Sequence, residues 1–289
     1  MASFPDRVRS LPRLGVGIST EFGAGRTGLD VNALRRSRPD LVSFLEIGVD
    51  LERGVDEDAR TWVREGGAST YHFLDLNLEE GDDLDPRDVG AVSSLARDLR
   101  AAWLCGDAGL WYVGRRDRGH GVLMPPILCA ESAAEMARGI RALRAASGFE
   151  VLPENPPAHV YLGNLHILDY FARVTHEADC GLLLDAAHLG VYQLVTGHQP
   201  LDGLDGFPLE RVVEMHVAGG TLFESGGRAF VDDDHNPSIL PATWAILDAV
   251  LPRATNLKAV VYECERNRVE DVIPVFDALR DRLPTGFSR

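Results

Sequence analysis

No stretch of the 289 residues is apolar for long enough to cross a bilayer, and Met1–Gly15 carries no signal-peptide pattern. Cysteine is scarce. Cys105, Cys129, Cys180 and Cys264 are widely spaced and form no Cys-x-x-Cys pair, which argues against a structural zinc site and a secreted disulfide framework. A cytoplasmic location suits these absences. Positive charge is also in short supply: 29 Lys and Arg stand against 44 Asp and Glu, a net charge of −15, so no nucleic-acid partner is expected. Gly15 and Gly17 alone do not make the glycine fingerprint of a dinucleotide site. No internal repeat, low-complexity segment or dividing linker is visible.

What is present is an ordinary globular composition, 45% hydrophobic and 25% charged, with short apolar runs alternating with helical periodicity. The runs 14–20, 41–49, 69–77, 103–108, 149–156, 181–187, 212–218 and 258–265 read as strands. Helices are expected at 31–38, 56–65, 88–102, 131–146, 165–176, 241–250 and 269–283, and long loops at 109–128 and 219–240. Eight βα units in a chain of this length imply an α/β fold: a single (β/α)₈ TIM barrel, residues 1–289 forming one metalloenzyme domain.

In such a barrel all strands deliver their C-terminal ends to one pole. Here those ends carry His72, Asp107, Glu154, Asp185 with His188, His216 and Glu263, and the loop after the seventh strand adds Asp233 and His235. Each has a plain structural alternative: a turn or helix cap for Asp107 and Asp185, a surface residue for His188, a core histidine for His72. Asp232–Asp234 also suits a solvated turn. Glu46, inside the second strand, reads as an interior carboxylate paired with an arginine, or as a ligand. Arg115, Arg116 and Arg118 suit a solvated loop face or a substrate clamp. His120, His159, His166, His176 and His198 suit the surface. Taken together, though, carboxylates converging on one pole repel one another and lose their hydration unless cations neutralise them. Mixed imidazole and carboxylate donors suit iron, manganese or zinc. Nine candidates exceed one octahedral ion, so two or three ions are expected.

Five segments carry a resemblance: Glu154-Asn-Pro-Pro157, Leu183-Leu-Asp-Ala-Ala-His188, Glu214-Met-His-Val-Ala-Gly219, Asp233-Asp-His-Asn236 and Tyr262-Glu-Cys-Glu265. In order and spacing they resemble the ENP-S, LLDVNN, EIHLAG, D-T-H-D and IEWD segments of the multinuclear non-haem iron-dependent oxidative enzymes, formerly a domain of unknown function. The likeness is strongest from Leu152 to Glu265. The resemblance implies a TIM-like barrel whose nine ligands, His72, Asp107, Glu154, Asp185, His188, His216, Asp233, His235 and Glu263, hold two or three irons. It implies dioxygen as co-substrate and a ribosomally made precursor peptide as substrate, modified at cysteine, aspartate or another side chain. It further implies a small partner protein that recognises the leader peptide, since the barrel uses up this chain. Asp107 stands where the family usually has histidine, and His188 where it usually has asparagine. A zinc- or manganese-dependent isomerase or hydrolase barrel, and a non-catalytic peptide-binding metallo-barrel, are the rival readings.

Overall fold

The computed structural model describes residues 2–21, 28–49, 51–52, 54–74, 76–80, 84–111 and 123–287. Arg115, Arg116, Arg118 and His120 lie outside them.

Each short apolar run becomes a strand because both of its faces find apolar neighbours, the barrel interior on one side and a helix layer on the other. The strands are β1 (Gly15–Glu21), β2 (Phe44–Val49), β3 (Ala68–Phe73), β4 (Leu104–Asp107), β5 (Val151–Glu154), β6 (Leu182–Asp185) and β7 (Val212–Ala218). The hairpin β8 (Thr221–Ser225) and β9 (Arg228–Asp232) follows, then β10 (Ala259–Glu263). β1 through β7 and β10 pair in parallel and close into an eight-stranded barrel in chain order, β10 returning to β1. The TIM-barrel expectation is met.

Helices α1 (Phe4–Ser10), α2 (Val31–Ser37), α3 (Glu57–Arg64), α4 (Pro86–Asp98), α5 (Ala130–Ser147), α6 (Ile167–Ala178), α7 (Ala186–Thr196), α8 (Pro241–Val250) and α9 (Val269–Arg282) accompany the strands. Aspartates start several of them. Asp30, Asp56, Asp85 and Asp185 each accept a backbone N–H from the first turn of α2, α3, α4 and α7. Gly148 and Gly197 end α5 and α7 at φ of 79° and 78°, a left-handed conformation that glycine adopts without strain.

Three elements depart from the sequence reading. α1 was not foreseen: its Phe4 and Val8 plug the N-terminal end of the barrel, packing with Phe44, Trp103, Leu152, Leu183 and Val261. Arg7 clamps it there, its Nε donating to Glu150 at 2.7 Å. α7 was also missed, because its low amphipathicity hides its period; Ala186, Ala187, Leu189, Val191 and Tyr192 are all buried. The expected loop 219–240 contains the β8–β9 hairpin, turned by Gly226 and Gly227 at φ of 59° and 75°.

The interior follows one rule. On five strands the inward position nearer the N-terminal end is occupied by an apolar residue or Cys105, and the one nearer the C-terminal end is ionisable: Phe44 then Glu46, Cys105 then Asp107, Leu152 then Glu154, Leu183 then Asp185, Val261 then Glu263. Against β6, the register of β7 slips by one residue between Leu182 and Leu183, so Val213 lies in the apolar interior while neighbouring Glu214 also turns inward, to Trp103.

Candidate metal centre

The upper end of the barrel gathers the ionisable groups into one continuous constellation. His72, Asp107 and Glu154 place ligand atoms within 4.8 Å of one another, as do Glu154, Asp185 and His188, then Glu46, His216 and Glu263, and finally His235, Glu263 and Glu265. Glu154 and Glu263 each belong to two of these sets, as bridging carboxylates would. Asp233 joins them through His188, its Oδ2 standing 2.9 Å from Nε2. All nine sequence candidates therefore meet at one pole. Among the described residues Asp107 caps no turn; its carboxylate stands with His72 and Glu154. His188 is buried rather than at the surface. Asp185 does cap α7, accepting the His188 N–H at 2.6 Å through Oδ1, and this leaves Oδ2 for the centre.

Individual contacts set the orientation of each ring. His72 Nε2 lies 2.8 Å from Glu154 Oε2. His188 Nδ1 lies 2.9 Å from the Asn155 carbonyl, which takes its proton and leaves Nε2 to face Asp233. His235, at a left-handed φ of 53°, points Nδ1 at Glu265 Oε2, 2.8 Å away, and so turns Nε2 toward Asp233 and Glu263. Glu265 is fixed from behind by the Ser19 hydroxyl. His216 Nδ1 faces Glu154 Oε1 at 3.2 Å and Glu263 Oε1 at 3.4 Å.

Several buried atoms here have no hydrogen-bond partner: Asp107 Oδ1, Glu154 Oε1, Asp185 Oδ2, His216 Nδ1 and Glu263 Oε2. Native interiors rarely leave such groups unpaired, and five in one place mark atoms meant for something other than protein. Charge leads to the same conclusion. Glu46, Asp107, Glu154, Asp185, Asp233, Glu263 and Glu265 are seven carboxylates against four imidazoles, so even fully protonated histidines leave an excess of negative charge. Among the described residues Glu46 pairs with His216 rather than with an arginine.

The protein alone balances this charge only by retaining protons. Burial pushes the Asp185 carboxyl up to about 8, with Glu263 and Glu154 adding to the effect. Burial and Glu154 raise Asp107 to about 7. Burial opposes charge on His72, but Glu154 and Glu46 raise it to about 9. Burial likewise opposes ionisation of Glu154, yet His216, His72 and His188 hold its carboxyl well below the usual range. Bound cations would take over this role from the protons.

Sequence reasoning passed over two members. Glu265 had a signal, since a strand period of two places it on the face of Glu263. Ser19 had none, because its role exists only once β1 meets β10. Of the remaining histidines, His159 packs on Phe223 and Phe230 and reaches the Val231 carbonyl at 2.9 Å, and His166 caps α6; neither joins the centre.

The segments singled out earlier now have physical roles. Asn155 donates from Nδ2 to the Asp185 carbonyl at 3.0 Å and accepts the Asp185 N–H at 2.9 Å, tying the end of β5 to the end of β6. Asn155→Ala leaves both buried groups unpaired and is expected to cost about 2–4 kcal/mol, readable by denaturant titration. Gly219 lies against the Asn236 carbonyl, which a Cβ there would overlap. Gly219→Val is expected to displace the segment that carries Asp233 and His235 and to lower the bound-metal count, measured by elemental analysis, with the barrel's far-UV spectrum intact.

Residues 22–281 match the model of the RiPP precursor modification enzyme family MbnB/TglH/ChrH, RiPP standing for ribosomally synthesised and post-translationally modified peptide. The chain belongs to this family. Among its curated relatives is a UPF0276 protein of Caulobacter vibrioides, 23% identical over 265 residues covering 90% of this chain and 91% of the relative. Another, from Caulobacter sp. strain K31, is 31% identical over 164 residues, 53% of this chain and 57% of the relative. Among solved structures, a xylose isomerase-like TIM barrel from Mycobacterium smegmatis, in complex with magnesium, aligns with a TM-score of 0.55 at 13% identity, covering 98% of this chain and all of that one. A xylose isomerase domain-containing protein of Salmonella typhimurium aligns at 0.57 and 10% identity, covering 93% of this chain and 98% of that one. These two likenesses concern the fold alone.

Proposed function

We propose that this member of the precursor-modification family is an iron- and dioxygen-dependent oxidoreductase that modifies a ribosomally made peptide, at a cysteine or else at an aspartate or another side chain. The observation that carries the reading is the set of partnerless carboxylate and imidazole atoms at the catalytic pole of the barrel. The donors fit iron: oxygen and nitrogen in mixed sets, with the Cys105 thiol engaged by Glu46. His72, Asp107 and Glu154 would hold one ion, Asp185, His216 and Glu263 a second with Glu154 shared, and His188, Asp233 and His235 a third.

Iron bound there would supply redox equivalents and open positions where a substrate thiolate or carboxylate meets dioxygen. The chain's own residues supply the rest. Asn155 and Glu265 fix which nitrogens of His188 and His235 are free. The Asp185 cap holds its carboxylate against rotation. Burial keeps water from the lower part of the centre. A separate small protein that recognises the leader segment is the proposed partner, and the cytoplasm the proposed compartment, which suits the free state of all four cysteines.

The test is co-expression with the short open reading frames that neighbour the gene, followed by anaerobic purification, ferrous loading and exposure to oxygen. Peptide-dependent oxygen uptake with a change in peptide mass is the expected result. An unaltered peptide mass with the iron-loaded protein, or turnover with zinc and no oxygen uptake, would overturn the proposal.

A further inference from the structure

Beneath the centre lies a second polar layer that the proposed chemistry does not use: Glu46, Cys105 and Glu214, all buried, with ligand-type atoms within 4.8 Å of one another. Glu46 also falls within 4.8 Å of His216 and Glu263, so proximity alone would make it a ligand. Its hydrogen bonds indicate otherwise.

The two nitrogens of His216 face different layers. Nε2 stands 3.1 Å from Glu46 Oε1 and 3.2 Å from Oε2, and is hydrogen-bonded to the latter. Nδ1 looks up at Glu154, Glu263 and Asp185 and has no hydrogen-bond partner. Glu46 is itself held from its own side of the barrel. The Cys105 thiol donates to Oε2 at 3.2 Å, and the Thr70 hydroxyl lies 3.5 Å from the same oxygen. Neither Glu46 oxygen is among the partnerless atoms, whereas Asp107, Glu154, Asp185 and Glu263 each contribute one. Since β2 and β7 are not neighbours, this contact crosses the barrel, and sheet pairing does not account for it.

We propose that Glu46 is a positioning residue: it accepts the Nε2 proton of His216 and so presents Nδ1 to the cations, without itself being a ligand. The inference rests on the cation-binding reading of the centre. A carboxylate behind a metal-bound imidazole fixes its tautomer and ring plane and raises its basicity, and loss of such a partner weakens metal binding about 10–100-fold. Cys105 and Thr70 keep the carboxylate in place.

The experiment titrates metal-free full-length protein with cobalt(II) chloride, reading stoichiometry by equilibrium dialysis and ligand geometry by visible absorption. Glu46→Gln is expected to bind the wild-type number of ions about 10–100-fold more weakly, with a shifted cobalt band. Cys105→Ala keeps Glu46 but removes one of its donors; it is expected to bind severalfold more weakly at unchanged stoichiometry, and it serves as the test should Glu46→Gln fail to fold by circular dichroism. Loss of a whole equivalent in Glu46→Gln would make Glu46 a ligand and overturn the proposal. Wild-type affinity and spectrum in both variants would do so too, leaving the metal centre itself standing. No cobalt bound by the wild type would overturn the inference together with the reading beneath it.

Discussion

Glu154→Gln is expected to lose at least one equivalent of metal and to reduce peptide modification on the order of a thousandfold, the several kcal/mol that metal-assisted steps contribute. Glu154 faces three of the four imidazoles of the constellation. Its Oε2 takes His72 at 2.8 Å, and its partnerless Oε1 lies 3.2 Å from His216 Nδ1 and 3.4 Å from His188 Nδ1. Glutamine has the same shape but carries no charge, and its amide nitrogen cannot bridge cations. Because the substitution removes one buried negative charge, the metal-free variant should fold as the wild type does. Elemental analysis beside far-UV circular dichroism separates the two effects. A full complement of metal in the folded variant would remove Glu154 from the centre.

Asp185→Asn should cross over the wild type in stability, depending on metal. In the metal-free protein the Asp185 carboxyl sits at about 8, raised by burial and then by Glu263 and Glu154 from an ordinary 3.8. The folded state therefore keeps a proton that the unfolded chain releases between these two values, and stability falls as pH rises through that window. Asp107, at about 7, acts in the same direction. So does His72: its protonated form stabilises fully below 6.5, and that contribution is lost as pH climbs through about 9. The metal-free wild type should thus lose thermal midpoint from pH 6 to pH 9. Asparagine still caps α7 but cannot ionise. The metal-free variant should melt a few degrees above the metal-free wild type near pH 8.5, and with a slighter pH dependence. Added divalent metal reverses the order, because it stabilises only the chain that binds it. For the wild type, apparent affinity should rise roughly tenfold per pH unit for each proton displaced. Differential scanning fluorimetry across pH, with and without metal, reads both. Parallel midpoints for the two proteins, with no reversal, would contradict this charge balance.

Much of the barrel was legible because its strands announce themselves as short apolar runs. The apolar run predicts β7 with its observed ends, and the gathering of ionisable groups at one pole follows from their recurrence where those runs end. What escaped notice is what depends on packing between distant segments. α1 has only Phe4 and Val8 to bury, and nothing local shows that a barrel floor awaits them. α7 begins at the residue after β6, so Asp185 serves as strand end, helix cap and partnerless carboxylate together, and a linear reading separates those roles. The apolar run predicts β3 out to Asn77, but its ladder ends at Phe73, and a short 3₁₀ segment stands at Leu78–Glu80. Glu46 drew the wrong partner because an arginine is the usual neutraliser of a buried carboxylate, whereas here an imidazole from the far side of the barrel takes that place.

The most direct measurement is the anaerobic titration of metal-free protein with ferrous iron, counting bound equivalents by native mass spectrometry. Two or three ions per chain, bound with release of protons and a rise in thermal midpoint, is the outcome that crowded acidic and imidazole groups at one barrel mouth require. A chain that takes up no ion and melts at the same temperature with or without iron would show that protons alone hold those groups together.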